Sequence, residues 1–475
     1  MRRAVFAALI ATAWMPLQAS AIDLMQVYTQ ALANDPVYAG ARSSQLAGQE
    51  KSVQGRAGLL PTLGASGSYT RADQQAYGQS FSFNNNAYTV QLTQPLLRVA
   101  NWAAYQQGQL ATASADAQFA QARQDLIVRV TQAYFDVLTA QDALTFLKAQ
   151  ENAITEQLAS AKRNFEVGTA TITDTNEAQA RYDLAIAQQI VAQNDAEVKR
   201  TALQQIIGTA PGALSVLRTG VTLTPPVPAQ VDAWVSSAEE QNFSVVSQQL
   251  ALEIAQREIT RNRAGHYPTV DLIAVHSKSA QSGAAFAGAN PGGTNNAIGV
   301  QWTIPLFSGF AVTSKVRESI ELEERARADL VSARRTAAQS ARQSFLGVRN
   351  GLAQVRALQA AEVSSQSSLD SNRLGYEVGV RINIDVLNAQ QQLFSTRRDL
   401  AKARYDTLIA GLRLKSAAGT LEESDLQQIN LLLSAQAPAL PATIVPVATP
   451  VVVTPPSPAA PAPQLPAAPP QLKSR

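Results

Sequence analysis

Residues able to do chemistry are scarce in this chain. His266 and His276 are its only histidines and it has no cysteine. That removes thiolate metal sites, a Cys nucleophile, disulfides and a lipidated Cys, and it leaves little material for a His-based dyad. No Gly-x-Ser-x-Gly elbow, His-Glu-x-x-His helix or phosphate-cradling glycine loop occurs. Paired carboxylates such as Glu323 and Glu324 fall on a charged helical face, where solvation is their plain role. The residues therefore read as those of a protein that is not an enzyme and needs neither cofactor nor metal. With 6% aromatic residues in 475, a conventional thick core is also not expected.

The two ends read as segments apart from the fold. Met1 to Ala21 is built like a secretory leader, with Arg2 and Arg3, an apolar run from Ala4 to Trp14, and the small-residue site Ala19-Ser20-Ala21. Those two arginines make up most of the formal charge of +3, so no basic patch remains and nucleic acid is not an expected partner. Residues 436–475 hold about half of the 23 prolines and read as a disordered, polyproline-like tail, since proline fixes φ and lacks an amide donor. No run of 18 or more apolar residues lies between, so no transmembrane helix is expected. Alternating barrel strands escape that test.

Between the ends the chain repeats itself at a spacing of about 210 residues. Gly58-Leu59-Leu60-Pro61-Thr62-Leu63 returns as Gly265-His266-Tyr267-Pro268-Thr269-Val270, and Gln94-Pro95-Leu96-Leu97 as Ile304-Pro305-Leu306-Phe307. Phe165-Glu166-Val167-Gly168 returns as Tyr376-Glu377-Val378-Gly379, and Ile207-Gly208-Thr209 as Ala418-Gly419-Thr420. The landmarks keep their order, which gives two equivalent halves, 22–228 and 229–435, joined at Pro225, Pro226 and Pro228.

Each half is mostly helical in pattern. No proline interrupts Pro95 to Pro211 or Pro305 to Pro438. Leu126, Val130, Ala133, Val137 and Ala140, and likewise Ala341, Phe345, Val348, Leu352 and Val355, keep a 3–4 spacing. This predicts helices over 98–166 and 174–207, then 311–376 and 384–418. The first would be ~100 Å long at ~1.5 Å per residue, too long for one compact core. Gly168 and Gly379 break each pair into an antiparallel hairpin, with tips at 167–174 and 378–385. Thr173 or Asp174 is the expected cap of the second helix, with Glu177 in register. Ahead of the helices, alternation predicts strands over 62–70, 86–97, 269–277 and 297–307. The stretches 71–86 and 277–297, rich in Gly, Asn, Ser and Gln, read as exposed loops.

Four strands cannot close a barrel, and an open sheet in a membrane leaves unpaired edges. Several chains must contribute if these strands span a membrane, with Tyr69, Tyr88, Tyr267 and Trp302 as candidates for interfacial girdles; the plain alternative is two ordinary hairpins packed on a soluble domain. From Leu24 to Asn430 the chain resembles the TolC family of outer-membrane channels. The resemblance is most specific in Leu24-Met25-Gln26-Val27-Tyr28, Thr171-Ile172-Thr173-Asp174, Gln366-Ser367-Ser368-Leu369-Asp370 and Gly375-Tyr376 through Ile384-Asp385-Val386-Leu387. It implies a mixed membrane protein: a homotrimer whose four strands per chain complete a 12-stranded β-barrel in outer-membrane lipid. A long periplasmic α-helical barrel of coiled-coil hairpins would continue it, and the missing Cys favours the unlipidated members. The implied role is the exit duct of a tripartite export system in the cell outer membrane. Its partners would be a periplasmic adaptor (membrane fusion) protein and an inner-membrane ABC or RND-type pump. It would pass proteins by type I secretion, small toxic compounds, or both.

The same resemblance assigns roles at the tips. Asp174 would pair with Arg381, and Thr173 would hydrogen-bond Tyr376, to hold a periplasmic gate closed. Asp385 would supply an acidic ring in the pore, and Asn388 stands where the family carries a second acid. That substitution implies weaker cation block, which Asn388→Asp should strengthen. Val167, Gly168 and Thr169, with Val378, Gly379 and Val380, would meet the adaptor. A competing reading, a periplasmic coiled-coil scaffold without a pore, accounts for the helices but not for the strands.

Overall fold

The computed structural model of the chain describes residues 21–76, 78–218, 220–283 and 292–434. The expected leader, apart from Ala21, and the expected Pro-rich tail lie outside these residues. Asp23 opens helix α1 (Leu24–Asn34) with a capping box: it accepts from the Gln26 amide at 2.7 Å, and the Gln26 side chain accepts from the Asp23 amide. Asp35 ends α1 and caps α2 (Pro36–Ala57), accepting from the Tyr38 amide at 2.7 Å. Pro36 takes the first turn, where its missing N–H is no loss. Asp35 is only 3% exposed and also receives Arg129 at 2.9 Å, which fastens this corner to α3 (Val99–Glu166).

Strands β1 (Thr62–Ala76) and β2 (Gln79–Leu97) form an antiparallel hairpin between α2 and α3. After α3 come α4 (Ile172–Ile207) and the short β3 (Val216–Leu217). The second half repeats this order with α5 (Val231–Gln241), α6 (Phe243–Arg263), β4 (Thr269–Gly283), β5 (Gly293–Thr303), α7 (Ala311–Glu377) and α8 (Asn383–Ala417). It closes with α9 (Glu423–Asn430) and β6 (Leu433–Ser434), which pairs with β3 and ties the ends of the two halves together.

The four long strands make one antiparallel sheet in the order β1-β2-β4-β5. Its outer strands, β1 and β5, have no second neighbour among the described residues. The strands run farther than alternation suggests. Pairing continues from Arg71↔Asn84 through Asp73↔Ser82 to Ala76↔Gln79, and from Ser277↔Asn295 to Ser279↔Gly293, within stretches read as loops. A ladder is held by backbone groups, so a strand with little apolar alternation leaves no mark in hydropathy. In the other direction β5 stops at Thr303, short of the expected 307, just before Pro305, which has no amide to donate.

Where sheet meets helix, Arg98 clamps Asp271 of β4 with two hydrogen bonds, Nε to Oδ1 at 2.8 Å and Nη2 to Oδ2 at 2.6 Å. This joins the start of α3 to the other half's strand. Beyond the clamp, α3 is sheathed in two stages, by α2 near the sheet and by α4 toward its far end; α6 and α8 do the same for α7. Backbones approach closely here: a Cβ on Gly108 would meet the Lys51 carbonyl oxygen at 2.5 Å. The largest apolar cluster sits where α1, α9 and the β3–β6 pair wrap α3 and α4, with Tyr28, Leu126, Tyr134, Phe135, Leu203, Ile207 and Leu426 fully buried. Tyr28, Tyr134, Phe135 and Tyr405 give this cluster its bulk.

Phe135 of that cluster stacks on Tyr405 of α8 at 5.2 Å, and the Tyr405 hydroxyl donates to Asp142 Oδ2 at 2.8 Å. Burial raises the Asp142 pKa above the ordinary carboxylate value, and the bond from Tyr405 offsets this only in part. Such a group binds protons more tightly folded than unfolded, so its contribution falls as pH rises through the folded pKa. Asp142→Asn keeps an acceptor for Tyr405 and removes the buried charge. It is expected to raise the thermal midpoint in detergent at pH 7, with the gain vanishing below about pH 4, where the wild-type acid is itself protonated. Melting curves at the two pH values check this.

The hairpin tips as candidate functional site

Two tip turns of one design face away from the sheet. Helix α3 ends at Glu166; Gly168 follows at φ +79°, and the amides of Thr169 and Ala170 return to the Asn164 carbonyl at 2.8 and 3.1 Å. Helix α7 ends at Glu377; Gly379 follows at φ +79°, and the amides of Val380 and Arg381 return to the Gly375 carbonyl at 2.9 and 3.0 Å. A positive φ is nearly free only for glycine. The turns lift apolar side chains into solvent: Val167, Val378 and Val380 are 73%, 65% and 76% exposed. These three valines take no part in a core of the chain.

The caps differ from the sequence expectation. Thr171, not Thr173 or Asp174, is the N-cap of α4, with Asp174 at the third helical position. The Thr171 hydroxyl accepts from the Asp174 amide at 3.3 Å, and Asp174 Oδ2 accepts from the Thr171 amide at 3.0 Å and its hydroxyl at 2.8 Å. The extended backbone of Thr171 (φ −91°, ψ 159°) is what a cap requires, so the helix starts two residues earlier than expected. Asp174 is occupied by this box.

The expected partners are accordingly arranged otherwise within the chain. Arg381 faces Asp385 one turn along α8, with Nη1 to Oδ2 at 3.6 Å, rather than Asp174. Tyr376 accepts from Asn164 Nδ2 at 3.2 Å rather than meeting Thr173, which lies exposed. Asp385 sits in the first turn of α8, where a carboxylate suits the positive end of the helix dipole.

Sequence reasoning missed the contacts between the two hairpins. Besides Asn164–Tyr376, Gln157 of α3 bonds Asn383 of α8. Arg181 of α4 donates to Asn388 Oδ1 at 3.1 Å and Gln391 Oε1 at 3.0 Å. Asn383 and Gln390 are each 3% exposed, and Asn383 Nδ2 and Gln390 Oε1 have no hydrogen-bond partner among the described residues. Just above, Ile154, Leu158, Ala161, Ala178, Ala185 and Leu387 pack together. A signal for some of these contacts was available: Asn164–Tyr376 and Arg181–Gln391 join residues 212 and 210 apart, the spacing of the repeat itself. Positions within one residue of equivalence in the two hairpins touch.

No group of three or more His, Cys, Asp or Glu among the described residues is placed to hold a metal ion. His266 ends a short 3₁₀ turn and His276 lies within β4, so each histidine stands on its own element. No helix among the described residues is long and apolar enough to cross a membrane, which leaves the four-stranded sheet to be judged by its own edges and faces.

Residues 27–209 and 234–420 match the family described as Outer membrane efflux protein. The two matched blocks fall on the two halves, and the chain belongs to this family of outer-membrane channels. Over 434 residues it is 34% identical to Outer membrane protein TolC of Escherichia coli (strain K12), covering 89% of this chain and 87% of that one. Over 425 residues it is 33% identical to Alkaline protease secretion protein AprF of Pseudomonas aeruginosa, with 86% and 87% covered. The solved outer membrane protein VceC of Vibrio cholerae shares the fold at a TM-score of 0.71 and 19% identity, over 83% of this chain and 96% of that one. The protein is an outer-membrane exit channel of the efflux and secretion type.

Proposed function

We propose that three copies of this chain form a continuous duct, a twelve-stranded barrel in the outer membrane followed by a periplasmic tunnel of helical hairpins. The observation that carries this reading is the four-stranded sheet with two open edges, β1 and β5. Edges of this kind are untenable in lipid unless other chains pair with them. Leu63, Tyr69, Ile298, Val300 and Trp302 are exposed on these edge strands, as a lipid-facing surface requires. The tips close the duct at its periplasmic end. Arg381 is 59% exposed on its side chain and can exchange its own Asp385 for Asp174 of a neighbouring copy. Each such exposed pair contributes at most ~1 kcal/mol, weak enough for a docked partner to undo. Val167, Gly168, Thr169, Val378, Gly379 and Val380 receive a periplasmic adaptor, which an inner-membrane pump of ABC or RND type accompanies.

The cargo is set by that pump, so proteins and small toxic compounds share one duct. This agrees with relatives named both for protease secretion and for efflux. The test is conductance of the purified full chain in planar lipid bilayers. Discrete steps are expected, with block by trivalent cations that Asp385→Ala weakens about tenfold if the three carboxylates form a narrow ring. A protein that inserts no channel would instead be a scaffold.

A further inference from the structure

Three links join the hairpins near their tips, and among the described residues only one brings a full charge across: Arg181 to Asn388 and Gln391. Both acceptors are neutral amides, so the guanidinium is held in place without being neutralised. Its position along α8 matters. Arg381, Asp385, Asn388 and Gln391 follow one another at intervals of four, three and three residues, which is one stripe beginning at the tip. Reading along that stripe, Arg381 lies 3.6 Å from Asp385. The next position, Asn388, has no charge of its own but carries the Arg181 guanidinium at 3.1 Å. The single carboxylate of the stripe is therefore flanked by two guanidiniums, one from its own turn and one supplied by α4.

We propose that Arg181 is a selectivity-determining residue of the channel's periplasmic constriction. It sets a positive field at position 388 that reduces cation preference and eases the passage of anionic permeants. This rests on the reading that Asp385 lines the constriction. A ring of three such guanidiniums, one helical turn from the acidic ring, opposes the field of the carboxylates over a distance shorter than the ~8 Å Debye length at physiological salt. An acid placed at 388 would be neutralised by Arg181 instead of adding to the acidic ring. Asn388→Asp alone should then leave cation block near its wild-type strength, where the family resemblance taken without Arg181 implies a strengthening.

The experiment is the reversal potential in a potassium chloride gradient, with titration of a trivalent cobalt hexammine, on the full chain in planar bilayers. Each variant is first checked for a heat-resistant oligomer. Arg181→Gln is expected to raise the potassium-to-chloride permeability ratio at least threefold, while Arg181→Lys, which keeps the charge, stays within a factor of two of wild type. Asn388→Asp should not tighten block, but combined with Arg181→Gln it should tighten it at least tenfold. Equal tightening by Asn388→Asp with and without Arg181 would overturn the proposal. So would an Arg181→Gln channel of wild-type selectivity when Asp385→Ala does shift selectivity. If Arg181→Lys matches Arg181→Gln, the residue acts by geometry and not by charge, and the proposal fails. If Asp385→Ala changes neither selectivity nor block, the constriction reading itself falls and this proposal with it.

Discussion

A chain carrying Gly168→Val and Gly379→Val is expected to reach the outer membrane as a heat-resistant oligomer and to export nothing. Both glycines hold φ +79°, and a Cβ at either would meet nothing within 4 Å. The cost is therefore backbone strain, ~1–2 kcal/mol for each L-residue forced into the left-handed region, and no clash reaches the packed helices. A strained turn relaxes locally, and the easy way is to give up the bonds that return to the Asn164 and Gly375 carbonyls. That moves Val167, Val378 and Val380, the exposed apolar residues of the tips, out of the arrangement an adaptor would grip. Against a stability of ~5–15 kcal/mol the loss leaves folding intact. Unheated gel migration of membrane fractions measures assembly, and an export assay in a deletion strain measures function. Gly→Asn at the same two positions tolerates positive φ and should retain much of the export. Wild-type export by the valine variant would remove the tips from the mechanism.

Those glycines were legible because the demand they meet is local: a positive φ needs glycine wherever it occurs, and the Phe165–Gly168 and Tyr376–Gly379 repeats exposed it twice. The long helices were legible for a related reason, since a 3–4 period over tens of residues leaves a trace in composition. What stayed hidden has two physical origins. Strand segments such as Arg71–Ala76 are held by backbone pairing and carry little side-chain alternation, so their sequence looks like a loop. The Thr171-Ile172-Thr173-Asp174 run offers two threonines and an aspartate for one cap, and only the backbone angles at Thr171 decide between them. Long-range side-chain partners were the least legible. Within the chain Arg381 meets Asp385, four residues on, where the resemblance implied Asp174. The partners of Arg181 lie on the other hairpin, 207 and 210 residues away, and only the fold brings them together.

The same repeat contains a glycine whose replacement should act on stability instead of export. Gly419→Ala is expected to cost about 2–4 kcal/mol, the sum of an unfavourable left-handed alanine and an overpacked contact. Gly419 has φ +76°, close to the tip glycines, but its surroundings differ: a Cβ there would lie 2.3 Å from the Gln241 carbonyl oxygen and 2.7 Å from the Gln241 carbonyl carbon. Backbone cannot rotate aside as a flexible side chain can. That backbone is the corner between α5 and α6, which is seated on the end of α8 by Asn242 Nδ2 to the Ala417 carbonyl at 2.9 Å and Ser237 Oγ to the Ala418 carbonyl at 3.2 Å. Pushing the corner away breaks both bonds, and it also disturbs Trp234 and Ala418 in the cluster they share with Phe345 and Leu414. The expected result is a sharp fall in heat-resistant oligomer and in the amount recovered from the outer membrane. Single-channel conductance of the surviving fraction should be unchanged, because the tips are untouched. Gly168→Ala, with the same kind of φ and open space around it, should cost only ~1 kcal/mol. The contrast between the two alanine variants isolates the contact from the dihedral. If Gly419→Ala melts with Gly168→Ala, the α5–α6 corner is not seated on the end of α8.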